Sequence, residues 1–218
     1  LALFFSILLF ELAHPPFDPL APLPNPDGYD DLVKAGQLVS EDSGNIESAS
    51  AAQLREIVAA NAGALALARA GLSNECRVPL QFTPAYNEKH MTDLADAKRL
   101  ARAFVAEGKL AELENHPGAA ASSYLDTIRL GIESPRGGTV LDQMVGTAIE
   151  TIGTSQLQKL VADLDAKSAR AAAITLETLD ARRQTWEDVM RQENDWSRRT
   201  FAGIRYEMTR WMTRKSLK

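Results

Sequence analysis

The sequence has little of what common metal and disulfide sites are built from. Its 218 residues include one cysteine, Cys76, and three histidines. One cysteine forms no internal disulfide, and the sequence has no CxxC motif and no Cys/His cluster of the kind that binds zinc. The histidines His14, His90 and His116 stand in predicted breaks or beside prolines, and no HxxxH or HExxH pattern occurs. We therefore expect three solvated turn histidines and no metal.

Patterns that cradle phosphates or present a nucleophile are also missing. GxGxxG, GxxxxGK[ST] and GxSxG do not occur. Gly137-Gly138 precedes a predicted helix and is better explained as a stop between two helices. Glu187 is four residues before Arg191, so the two are expected to pair on a helix surface. These absences predict no cofactor and favour a non-enzymatic role, although they leave an enzymatic activity open.

Aromatic residues make up only 6% of the chain, and runs of β-branched residues are scarce, whereas alanine is abundant. Alanine and leucine are the least costly residues in a helix, so the composition predicts an all-α fold. The net charge of −5 disfavours nucleic acid as a partner. The last 37 residues nevertheless hold ten Lys/Arg against five Asp/Glu, which points to an interaction surface at that end.

Residues 1–13 begin with an apolar run, Leu1 to Phe10, that is about half the ~20 residues needed to cross a bilayer. We interpret this segment as the distal part of a membrane anchor, with a signal peptide or a soluble core helix as alternatives. Residues 14–28 hold six prolines and predict an extended, semi-rigid linker. We then expect residues 29–218 to form a helical domain, held on the extracytoplasmic or periplasmic side of a membrane; a continuation of this domain beyond the given piece of chain is left open.

Within that domain, helical spacing of apolar residues predicts antiparallel helical hairpins, arranged as a bundle or as a short α-α superhelix. Ser50 to Gln53 has the form of a capping box, and residues 72–90 are expected to be an irregular connector. A strong helix is predicted from Thr92 or Asp93, and a break at residues 153–155. In the helix predicted from Val140 to Ile152, six residues are expected to point inward: Leu141, Met144, Val145, Ala148, Ile149 and Ile152. The apolar residues of the helices that follow include Ile174, Leu176, Trp186 and Met190.

Two resemblances support this topology. The segment from Leu100 to Pro135 resembles a tetratricopeptide-type hairpin, since Gly108, Ala120 and Tyr124 match three consensus positions of that repeat. The chain also resembles uncharacterised membrane-anchored helical proteins of planctomycete-type bacteria. The segments that carry this second likeness are residues 24–31, 59–62, 69–72 and 76–79. That family has no activity to transfer, so the likeness implies topology alone.

Two sets of residues are the candidate contact sites. The first is a basic amphipathic segment at the C-terminus, suited to a partner groove or an anionic membrane: Arg198, Arg199, Phe201, Arg205, Met208, Trp211 and Arg214. The second lies in the irregular connector: Arg77, Pro79, Phe82, Tyr86 and His90. The favoured interpretation is a membrane-tethered scaffold that binds a protein partner. The alternatives are a ligand-binding or enzymatic domain with a pocket near residues 77–90, and membrane-surface binding through the C-terminal segment.

Overall fold

The computed structural model describes residues 20–40 and 46–200. Within these residues the chain forms seven α-helices and no β-strand, so the predicted all-α class is confirmed. A 3-10 turn, Val161–Asp163, follows the fifth helix. The helices are α1 Gly28–Leu38, α2 Ala51–Leu72, α3 Pro84–Leu113, α4 Pro117–Glu133, α5 Val140–Leu160, α6 Ala166–Ala181 and α7, residues 186–200. The predicted anchor 1–13, the first part of the linker and the candidate residues from Phe201 onward lie outside the described residues.

Helix starts follow the capping signals of the sequence. Ser50 caps α2 through the predicted box, in which its hydroxyl accepts from the backbone N–H of Gln53 and the Gln53 side chain accepts from the backbone N–H of Ser50. Asp165 caps α6, since its carboxylate accepts from the backbone N–H of Ser168 at 2.6 Å. That backbone hydrogen bond lowers the pKa of the Asp165 carboxyl.

The start of α3 corrects the sequence analysis. We predicted a helix from Thr92 or Asp93, but α3 already begins at Pro84 and runs for 30 residues. Thr83 caps it by accepting from the backbone N–H of Tyr86. Pro84 occupies the first turn, where its missing N–H costs nothing and its fixed φ suits a helix. The proline that was interpreted as part of an irregular connector is thus a helix start.

The predicted break at residues 153–155 is also wrong, because α5 is continuous from Val140 to Leu160. Gly153 lies where α4 approaches most closely. A Cβ atom there would lie 2.8 Å from Cγ1 of Ile128 and 2.9 Å from the carbonyl oxygen of Tyr124. The glycine therefore serves close helix packing, which outweighs its cost of about 1 kcal/mol inside a helix.

Each of the first four helices packs on the next one along the chain, and contacts also join α1 to α3, α3 to α5 and α4 to α6. Two apolar clusters fill the interior. The first is centred on α1 to α3 and includes Leu65 and Phe104, and the second is centred on α4 and includes Tyr124 and Ile128. The Tyr124 ring lies against Gly108, where any Cβ atom would overlap it.

Two of the residues expected to point inward from α5 are exposed instead, Leu141 by 41% and Met144 by 64%, whereas Val145 and Ile149 are buried as expected. Apolar residues of the later helices are exposed as well: Ile174 by 55%, Leu176 by 36%, Trp186 by 61% and Met190 by 38%. For α5 the reason is the make-up of its buried stripe. That stripe includes Asp142, Gly146, Ile149, Gly153 and Leu157. Three of these residues, Asp142, Gly146 and Gly153, are charged or lack a side chain. A prediction based on apolar residues alone therefore places the buried face at neighbouring positions such as Leu141 and Met144.

Candidate functional site

A cleft opens between α7 and the connector that joins α2 to α3, residues 73–83. Three hydrogen bonds fix the connector. The N–H of Arg77 donates to Oδ1 of Asp27 at 3.0 Å, and the N–H of Val78 donates to the carbonyl of Arg136 at 2.8 Å. Nε1 of Trp196, on α7, donates to the carbonyl of Gln81 at 3.2 Å. The connector is thus tied to the start of α1, to the α4–α5 turn and to α7.

The cleft has a volume of about 480 Å³, within the range of ligand and side-chain pockets. Its apolar surface comes from three parts of the chain: Leu20 and Leu23 before α1, Leu80 and Phe82 on the connector, and Trp196 on α7. Leu20 and Leu23 are 48% and 50% exposed, so the apolar surface continues out of the cleft.

Polar side chains surround this apolar surface, and most are already paired. Arg191 donates to Asp188 at 2.9 Å, and Gln184 donates to Gln192 at 3.0 Å. The guanidinium of Arg199 lies 5.5 Å from the ring centroid of Phe82, in cation–π contact. An apolar centre with a polar, hydrogen-bonded rim is the usual make-up of a protein-binding surface.

The structure brings the two predicted sets of contact residues partly together. Arg77, Pro79 and Phe82 from the connector line the cleft, and so does Arg199 from the C-terminal set. Arg198, the next candidate on α7, is exposed and does not line it.

The last two members of the connector set, Tyr86 and His90, lie on α3, outside the connector. The expectation that His90 is a solvated turn residue is wrong, since it is 8% exposed. Its Nε2 lies 2.7 Å from Oδ1 of Asp142, and its Nδ1 lies 3.4 Å from the hydroxyl of Tyr29. With a neutral imidazole and an ionised Asp142, Nε2 donates to the carboxylate and Nδ1 accepts from the hydroxyl of Tyr29. The ring of Tyr86 stacks on His90 with centroids 5.2 Å apart.

An aspartate that orients a histidine is also the basic unit of a catalytic triad. Here the third group is the hydroxyl of Tyr29, which is 7% exposed, and burial raises its pKa well above the ordinary range. Tyr29, His90 and Asp142 do not line the cleft, and they do not line a second cavity between α3 and α5. The arrangement therefore joins α1, α3 and α5 as a buried polar link. One part of this link is visible in the sequence: Asp142 stands three residues after Thr139, the spacing of a capping box. In the structure, Oδ2 of Asp142 accepts from the backbone N–H of Thr139 at 2.7 Å.

A second polar network joins α2, α3 and α4. Arg69 donates to Asp126 at 2.7 Å and forms a two-pronged pair with Glu107. Its guanidinium also lies 5.1 Å from the centroid of the Phe104 ring. Burial raises the pKa of Asp126, against the opposing effect of Arg69.

Two further features of the described residues bear on chemistry. Cys76 is buried, and burial raises the pKa of its thiol to about 12, so little thiolate exists at neutral pH. Across residues 20–40 and 46–200, no three or more His, Cys, Asp and Glu side chains are grouped so as to hold a metal ion.

The chain matches no protein family, and no curated protein or solved structure is significantly similar to it. Among the helices that the structure describes, none combines the length and the apolar character needed to cross a bilayer.

Proposed function

We propose that this chain is a helical protein-interaction module that binds a segment of a partner protein in the cleft between the connector and α7. The observation that carries the proposal is the cleft itself, with exposed Leu20 and Leu23 continuing its apolar surface. Partner side chains enter such apolar pockets while the rim excludes water. The paired state of the rim, as in Arg191 with Asp188, favours binding over acid–base chemistry.

Two exposed leucines provide a matched test. Leu23 lines the cleft and is 50% exposed, whereas Leu38 lies at the end of α1, is 61% exposed and does not line it. Peptides selected from a random phage-displayed library would be measured against both variants. We expect Leu23→Asp to weaken binding by about tenfold or more, because it places a charge on the apolar surface, and Leu38→Asp to leave it unchanged.

Two results would contradict this proposal. One is a library that yields no peptide binding more tightly than about 100 μM, which is weaker than a typical specific interface provides. The other is equal loss of binding in both leucine variants, which would place the peptide elsewhere.

A membrane tether is the second part of the proposal, supported by the apolar run from Leu1 to Phe10 and the six prolines of residues 14–28. Such a run partitions into detergent or lipid through its buried apolar area. We expect the complete chain to enter the detergent phase of a Triton X-114 separation. Replacing Leu8 and Leu9 by lysine should move it to the aqueous phase, whereas the cleft variant Leu23→Asp should not; identical behaviour of all three proteins would argue against the tether.

A further inference from the structure

A second concave surface lies between α3 and α5, on a different part of the molecule from the cleft. This groove has a volume of about 340 Å³, and its apolar lining comes from Met91 and Leu94 on α3 and from Leu141 and Val145 on α5. No residue lines both the groove and the cleft. The groove is therefore a separate candidate surface, whose occupant can be tested independently.

Two of the larger apolar residues that line the groove are open to solvent: Met91 is 53% exposed and Leu141 is 41% exposed, whereas Val145 is buried. Met144, one turn further along α5 and beside the groove lining, is 64% exposed. Exposed apolar residues that cluster along one edge, unlike scattered ones, mark an interaction surface.

The charges along the groove all have one sign. The charged residues that line it are Lys98, Arg99 and Arg102, all on α3. Arg99 is engaged with Asp96 at 2.5 Å. Lys98 and Arg102 are exposed, lie four residues apart on one face of the helix, and have no ion-pair partner among the described residues. A cationic wall on a chain of net charge −5 is electrostatically complementary to a negatively charged neighbour.

The shape of the groove and the placement of its apolar and cationic residues together define the occupant. The cations lie on α3, and the exposed apolar residues of α5 lie opposite them. A groove between two helices accepts a third helix along its length. We propose that the α3–α5 groove binds an acidic amphipathic helix of a partner protein. Its apolar stripe lies against Leu141 and Met144, and carboxylates four residues apart pair with Lys98 and Arg102. A flat anionic membrane would meet the same charges, but it fits a convex surface better than a concave one.

The test uses two labelled helical peptides of about 18 residues, long enough to fill such a groove. Both carry leucines at helical spacing, and one has glutamates along one flank where the other has lysines. Fluorescence anisotropy with the complete chain should show binding of the glutamate peptide about tenfold tighter than of the lysine peptide, and added salt should reduce the difference.

Charge reversal in the groove provides the decisive comparison. The Lys98→Glu/Arg102→Glu variant should reverse the preference between the peptides, and Met144→Glu should weaken binding of the glutamate peptide. Lys167→Glu/Arg170→Glu is the matched control, because these two cations are exposed on α6 and line neither cavity. Circular dichroism would establish that every variant is folded.

Four outcomes would overturn the proposal. The first is no peptide preference in the unmodified chain, and the second is a preference that Lys98→Glu/Arg102→Glu leaves unchanged. The third is binding of phosphatidylserine-containing vesicles that depends on Lys98 and Arg102 while the glutamate peptide does not bind, which would assign the surface to a membrane. Loss of peptide binding in Leu23→Asp but not in Met144→Glu would place the peptide in the cleft, and so also counts against the groove.

Discussion

The first five helices and α6 are stabilised in different ways. In α4, ten of 17 residues are buried, whereas in α6 only two of 16 are. The buried residues of α4 interlock with α3 and α5 through glycines and aromatic rings, as at Gly108 and Tyr124. The α1–α5 body thus depends on shape complementarity, and α6 has little apolar area with which to do the same.

Arginine side chains attach the end of α6 to this body. Arg183 forms a two-pronged ion pair with Glu150, with both N–O distances below 3.0 Å. Arg182 lies 3.0 Å from Glu133, a fully buried carboxylate that Arg136 also approaches. The hydrogen bonds with Glu150 raise the pKa of Arg183 still further. Residues that come shortly after α6 in the chain, such as Gln184 and Asp188, line the cleft. The cleft is therefore built in part on the less buried part of the chain.

The largest expected effect comes from removing the same side chain in each region. Leu130 in α4 and Leu179 in α6 are both fully buried. We expect Leu130→Ala to lower the free energy of unfolding by about 4 kcal/mol and Leu179→Ala by about 2 kcal/mol. The loss is smaller in α6 because this helix has few buried neighbours and can move more easily into the space that the leucine leaves. Urea denaturation measures both, and equal losses would show that the two regions are packed alike.

The buried polar link within the body should contribute nearly as much. Asp142→Ala removes the partner of His90 and leaves the N–H and hydroxyl of Thr139 without their acceptor. We expect a loss of about 3 kcal/mol in thermal or urea unfolding, since two buried groups and a helix cap are affected. Removing the exposed cap Asp165 of α6 should change stability less. A larger effect at Asp165 would reverse the proposed contrast between the regions.

The sequence predicted the helices better than it predicted which of their faces are buried. Capping residues such as Ser50 and Asp165 bind the backbone three residues further on, so four consecutive residues are enough to predict a helix start. Pro84 was misread because a proline both ends helices and starts them, and only the preceding Thr83 cap distinguishes the two. Gly153 was wrongly interpreted as a helix break because the need for a glycine there comes from another helix, where Ile128 leaves no room for a Cβ atom.

The candidate surfaces were predicted only in part, for the same reason. The connector residues Arg77, Pro79 and Phe82 were singled out, but the wall they face comes from residues more than 100 positions further on, such as Trp196. The α3–α5 groove was missed because Leu141 was assigned to the interior. Leu141 could be placed on the surface only by knowing that the next residue, the charged Asp142, is buried.

Glycine contacts offer a finer comparison of the two regions. A Cβ atom on Gly131 would lie 2.6 Å from backbone atoms of α5, whereas one on Gly118 would meet only the side chain of Ser168, on α6, with the hydroxyl at 3.2 Å. We expect Gly131→Ala to cost about 2 kcal/mol by forcing α4 and α5 apart. Gly118→Ala should be close to neutral, because the Ser168 hydroxyl can rotate away. Gly63→Ala, at an open site in α2, should stabilise by up to about 1 kcal/mol and controls for helix propensity.

The smallest expected effect tests the arginine attachment directly. A double-mutant cycle with Arg183→Ala and Glu150→Ala should give a coupling of about 0.5 to 1 kcal/mol, since Arg183 is 45% exposed and solvent screens the pair. The coupling should shrink in high salt. Amide hydrogen exchange in Arg183→Ala should accelerate in α6 and not in α4, because the pair holds the end of α6 to the body. Uniform acceleration throughout the chain would mean that the two regions open as one unit, and that α6 is as firmly integrated as the interior helices despite its two buried residues.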